Sequence, residues 1–140
     1  MRLILDTNVL VSALIQRNYP FFIVDRILAD DKLQLCLSEP LFAEYLEVLN
    51  REKFSRFPDF HFKAQALLAD IESRALKFTP TVRLNIINDN ADNRLLELAE
   101  TSRLDYLVTG NTNDFTTTEY KGTKIISPKE FFELLNKQVP

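Results

Sequence analysis

Apolar residues along this chain fall into short continuous runs and longer helical stripes, and their alternation predicts an α/β fold. The opening "RLILD" reads as a buried strand, and "TNVLVSALI" behind it continues as a helix. A second helix runs from Pro20 to about Asp30, and "LQLCL" is another buried strand. Ser38 then fits a helix N-cap with Pro40 in the first turn. "LFAEYLEVLNR" carries that helix onward, with Phe42, Tyr45, Leu46 and Leu49 on one apolar stripe. Further on, "FHFKAQALLADIESRA" is helical and "LKFT" before Pro80 forms a brief strand. "ADNRLLELAETS" is a helix, "DYLVT" a strand ending at Gly110, "TKIIS" a strand, and "PKEFFELLNK" a helix that starts at its proline. Strands this short and apolar, alternating with helices, predict a parallel sheet covered on both faces. Ligands of such sheets bind beyond the carboxyl ends of the strands, where strand order reverses. Asp6 and the loop "GNTNDF" both stand at predicted strand ends.

Composition narrows the class without deciding the function. With 140 residues, 46% of them hydrophobic, the chain suits one globular domain with a full core. Only two glycines occur, and no repeat or low-complexity tract marks a linker. The lone cysteine, Cys36, sits in an apolar run and reads as a buried structural thiol, which predicts a reducing, cytoplasmic setting. No signal sequence or membrane-spanning run is expected from the pattern. The net charge of −3 argues mildly against binding nucleic acid by bulk phosphate neutralisation. An acidic nuclease escapes that argument, because its carboxylates hold cations and the cations meet the phosphate. The sequence shows no P-loop, no GxGxxG and no GxSxG elbow.

The acidic residues carry the candidate chemistry, and each has a plainer reading beside it. Asp6 ends a buried strand, where desolvation opposes its charge unless a cation or hydrogen-bond donors compensate; it equally fits the N-cap of the helix beginning near Thr7 or Asn8. Asp92 shares a stripe with Leu95, Leu96 and Ala99, which turns its carboxylate toward the core side. Acids also favour first helical turns through the dipole, and Asp89 or Asn90 could cap the same helix. Glu44 borders the apolar arc of its own helix, but periodicity barely separates it from Glu39. Asn111, Asn113 and Asp114 fit either a site or an ordinary turn. Several carboxylates in one cleft would repel unless a divalent cation neutralised them, and oxygen donors without a His or Cys cluster suit Mg²⁺ or Mn²⁺. The only histidine, His61, lies in the aromatic "FPDFHF" and reads as structural or surface.

Four stretches, "LILDTNVLVSAL", "LSEPLFAEYLEVLNREKF", "NDNADNRLLELA" and "YLVTGNTNDF", resemble in order and spacing the motifs of the PIN-domain nucleases, particularly the small prokaryotic, VapC-like toxins of toxin-antitoxin pairs. The likeness covers nearly the whole chain. It implies a three-layer α/β/α domain over residues 1–140, with a central parallel sheet flanked by helices. It also implies Asp6, Glu44 and Asp92 as catalytic acids that bind Mg²⁺ or Mn²⁺, with Asp89 joining through water. Thr7, Asn8, Asn111 and Asp114 would shape the site. The activity implied is metal-assisted hydrolysis of RNA phosphodiesters, and the partners implied are RNA, a second copy of the chain and an antitoxin. One departure stands out: the commonest pattern has an acid after the glycine of the fourth motif, whereas Asn111 follows Gly110 here. An amide oxygen ligates without charge, which puts a second metal in question.

The segment "NREKFSRFPDFHFK" mixes Arg51, Lys53, Arg56 and Lys63 with four phenylalanines. It reads either as an RNA-contacting surface, cations on phosphates and rings on bases, or as core packing with a solvated rim; packing is the stronger reading. Two rival functions stay in view. A catalytically weak PIN domain would bind RNA or protein without turnover. A phosphate-transfer protein of the receiver or haloacid dehalogenase type also places an aspartate at a strand end, but Asn8 occupies the place of the latter's second aspartate.

Overall fold

Strand β1 (Arg2–Leu5) forms where three consecutive apolar residues, Leu3, Ile4 and Leu5, are each at most 1% exposed. Burial on both faces suits the middle of a parallel sheet. The computed structural model describes residues 1–85, 87, 90–112, 115 and 118–137, with the backbone alone at Asn90. After β1 come α1 (Thr7–Ile15), α2 (Tyr19–Ala29), β2 (Gln34–Leu37), α3 (Glu39–Leu49), a 3₁₀ turn (Glu52–Arg56), α4 (Phe60–Arg74) and β3 (Leu76–Lys77). The chain continues through α5 (Asn90–Ser102), β4 (Tyr106–Val108), β5 (Glu119–Tyr120), β6 (Thr123–Ile126) and α6 (Pro128–Lys137).

The strands form one sheet in the order β3-β2-β1-β4-β6-β5. Leu3, Ile4 and Leu5 pair in parallel with Tyr106, Leu107 and Val108, and all other pairings are parallel except the short β5–β6 hairpin. The expected parallel sheet is therefore present, with an antiparallel edge added. Succession runs outward from β1 to β2 to β3, then jumps back to β4 on the other side of β1. Right-handed crossovers consequently put α5, which carries the jump, on the face opposite the earlier helices. The packing agrees: α1, α2, α4 and α6 contact one another, whereas α5 contacts β2, β5 and α3. The result is three layers, with the reversal of strand order falling between β1 and β4.

Local signals set the helix starts. Asn18 caps α2 through a 2.8 Å bond from the Tyr19 N–H, and Ser38 caps α3 by accepting from Leu41 at 3.3 Å, each with a proline in the first turn. The apolar face of α3 differs from the predicted stripe. Leu41, Tyr45 and Leu49 are buried, Phe42 is half-buried and Leu46 is 38% exposed, because α3 packs against α1, α4 and α5 along the 41–45–49 line. Cys36 is buried in β2 as a free thiol. Among the described residues no helix is long and apolar enough to cross a membrane.

Candidate functional site

Asp6 is the first residue beyond β1, and its N–H donates to the Val108 carbonyl at 2.9 Å, extending the β1–β4 ladder by one step. It occupies the N-cap position of α1, yet its side chain makes no capping bond. Instead Oδ2 accepts from the Thr109 hydroxyl at 2.8 Å and from Asn8 Nδ2 at 3.4 Å. A carboxylate only 8% exposed at the strand-order reversal thus reaches across to the residue that follows β4 and caps no backbone N–H of its helix. Of the two readings of Asp6, side-chain capping is not the one the structure adopts. Asn8 faces the same way, its Oδ1 accepting the Gly110 N–H at 3.3 Å, and Thr109 Oγ1 also accepts the Asn111 N–H at 3.0 Å. Thr109 is fully buried.

Helix α3 brings Glu44 to this corner. Thr7 donates its hydroxyl to Glu44 Oε2, and the neighbouring Tyr45 donates its own to the carbonyl of Leu5, the last residue of β1. Two adjacent α3 residues therefore bind the two residues that flank Asp6. Burial, and then the nearby carboxylates of Asp6 and Glu44, push the Tyr45 phenol well above its ordinary value, so it remains a neutral donor. Glu39, which periodicity could not separate from Glu44, is exposed on the outside of the helix.

Asp92 lies in the first turn of α5 and is 8% exposed, as its stripe predicts. The next residues organise the incoming chain: Asn93 binds Ile87, and the Arg94–Glu97 ion pair binds Leu84. Asp89 and Asp114, two further acids singled out from sequence, lie outside the described residues, as does Asn113. Asn111 is exposed just past Gly110. The carboxylates of Asp6, Glu44 and Asp92, backed by hydroxyl and amide groups, have the oxygen chemistry that fits Mg²⁺ or Mn²⁺. Among the described residues no three His, Cys, Asp or Glu side chains come close enough to hold an ion between them. Mg²⁺ commonly takes only one or two carboxylates and completes its shell with water.

The basic, phenylalanine-rich segment divides by ring. Phe54 and Phe60 are buried and stacked, with centroids 4.7 Å apart, whereas Phe62 is 79% exposed. Arg51 forms a two-bond pair with Glu47, and Lys53 and Arg56 lie over the rings of Phe54 and Phe57. His61 contacts the Arg51 carbonyl at 3.0 Å and meets Phe60 edge-on. A cleft of about 720 Å³ between α3, α4 and β3, lined by Phe42, Leu46 and Phe78 among others, includes none of the three acids. Sequence reasoning missed Thr109 and Tyr45, since neither belongs to an acidic pattern.

Comparison with known proteins agrees with this geometry. A family model described as PIN domain matches residues 2–113. Among solved structures, the chain is similar in fold to a chain of the crystal structure of VapBC2 from Rickettsia felis bound to a DNA fragment from their promoter. The TM-score is 0.59 at 16% identity, covering 91% of this chain and 98% of that one. No curated protein matches the sequence significantly.

Proposed function

Because the chain belongs to the PIN-domain family, a family of nucleases, we propose that it is a Mg²⁺- or Mn²⁺-dependent endoribonuclease. In this reading residues 1–140 act as one domain in the cytoplasm, as the toxin of a toxin-antitoxin pair. The observation that carries the reading is Asp6, a buried carboxylate at a helix N-cap position that does not cap its helix. Asp6, Glu44 and Asp92 would hold the cation, with Asp89 as a further acid joining through water. Bound there, the cation would acidify a water and offset charge developing on the scissile phosphate.

The chain's own residues prepare that chemistry. Thr109 and Asn8 fix the orientation of Asp6 through two hydrogen bonds. Thr7 orients Glu44, and Tyr45 fills the space behind both acids without adding charge. In this reading Asn111 and Asp114 would shape the site, and Arg51, Lys53 and Arg56 would contact phosphates of the RNA. The likeness to a chain of the VapBC2 structure supports a cognate antitoxin as a partner, and on the same reading a second copy of the chain is the other.

Cleavage of a pool of structured RNAs by the purified protein, with Mn²⁺, Mg²⁺ or chelator, tests the proposal. Asp6→Asn prepared identically should lose at least ~100-fold of the metal-dependent rate, the scale of removing one preorganised electrostatic contact. Equal cutting by both would mark a contaminant. RNA binding with no cutting under any metal would favour the module that binds without turnover, which Asn111 in place of an acid already recommends as the second reading.

A further inference from the structure

The chain between β3 and α5 is held by side chains where a sheet would use a neighbouring strand. Leu84 donates its N–H to Glu97 Oε2 at 2.7 Å, and its carbonyl accepts from Arg94 Nη2 at 2.8 Å. The two side chains meet at 2.7 Å. Ile87 is read in the same two-handed way, donating to Asn93 Oδ1 at 3.0 Å and accepting from Asn93 Nδ2 at 2.7 Å. Four backbone groups of a segment outside any strand are therefore satisfied by three residues of α5, all within five positions of Asp92. These partners are deeply placed. Asn93 is fully buried, the side chains of Arg94 and Glu97 are 16% and 5% exposed, and Arg94 Nε is buried with no hydrogen-bond partner among the described residues. Burying an ion pair is a poor way to gain stability, since apolar residues of similar volume are often as good or better. What the pair supplies is register.

We propose that Asn93, Arg94 and Glu97 are positioning residues that clamp Leu84 and Ile87 to α5 and thereby set the cation affinity of the site. Asn93 and Arg94 follow Asp92 directly, so the clamp ties Leu84 and Ile87 to the turn of α5 that carries Asp92. This rests on the assignment of Asp92 to the cation made above, and the measurement separates the two.

The experiment is Mn²⁺ binding by titration calorimetry, without RNA, alongside thermal unfolding. Arg94→Met with Glu97→Leu replaces the ion pair by apolar groups of similar size. The double variant should unfold within a few degrees of the wild type yet bind Mn²⁺ ~10–100-fold more weakly, the range typical for residues that orient ligands. Glu97→Gln, which keeps an acceptor for the Leu84 N–H, should lose only several-fold. A double variant that binds Mn²⁺ within twofold of the wild type overturns the clamp. Should the double variant not fold, Glu97→Gln decides the matter, and an unaltered affinity there overturns it equally. Asp92→Asn in the same assay should lose binding; if it does not, the cation assignment fails and takes the clamp with it, an outcome distinct from failure of the clamp alone.

Discussion

Thr109 shows how much of the site depends on a residue with no charge. Its hydroxyl donates to Asp6 and accepts from the Asn111 N–H, so one buried oxygen joins the end of β1 to the fourth loop. Thr109→Val keeps the shape and deletes both bonds. Mn²⁺ affinity should fall ~10–100-fold, as expected for a residue that orients a ligand, and calorimetry that finds it unchanged would remove Thr109 from the site. Cys36 answers a different question, that of pH. Burial, ahead of the opposing effect of Arg2, lifts its thiol from 9.0 to about 11. Below pH 9 the folded and unfolded chains both keep the proton. Between pH 9 and about 11 only the unfolded chain releases it, so stability present at neutral pH is lost as pH rises through that window. Tyr45, raised above its ordinary 10.0, adds a loss of the same sign further up. Urea unfolding of Cys36→Ala should accordingly fall less steeply from pH 9 to 11 than that of the wild type, and parallel slopes would count against the thiol.

Among the elements, the residue pattern discloses neither β5 nor its hairpin to β6. Its two-residue turn, Lys121 at φ +46° and Gly122 at φ +88°, has the left-handed backbone that matches strand twist. Nothing lies within 4 Å of a Cβ placed on Gly122, so the cost of Gly122→Ala is purely conformational. Chemical denaturation should show a loss of ~1–2 kcal/mol. The longer elements were legible because their periodicities run for several turns or fill a whole strand, whereas β5 spans two residues and shows no period. The 3₁₀ turn after α3 is hidden for the same reason. In the site, Asp6 and Asp92 were legible because a charged group interrupts an apolar run or stripe. Glu44 was not separable from Glu39, since the choice depends on how α3 rolls against α1, α4 and α5. Thr109 and Tyr45 were invisible because their roles exist only after residues 103 and 40 positions apart have met.

For the molecule as a whole, a cation that binds only the folded chain must also stabilise it. At one hundred times its dissociation constant, Mn²⁺ should add about 2.7 kcal/mol, which a thermal scan reads as a shift of several degrees. Asp6→Asn should abolish that shift, and a shift that survives the substitution would place the cation elsewhere. The position of β1 has a consequence in time. The strand that delivers Asp6 is made well before its partner on one side, β4, and Thr109 follows β4, 103 positions after Asp6. A nascent chain that has not yet reached β4 lacks one wall of the candidate site. The corner around Asp6 therefore stays incomplete until Thr109 has been made, so any chemistry it carries begins only once both halves of the sheet exist.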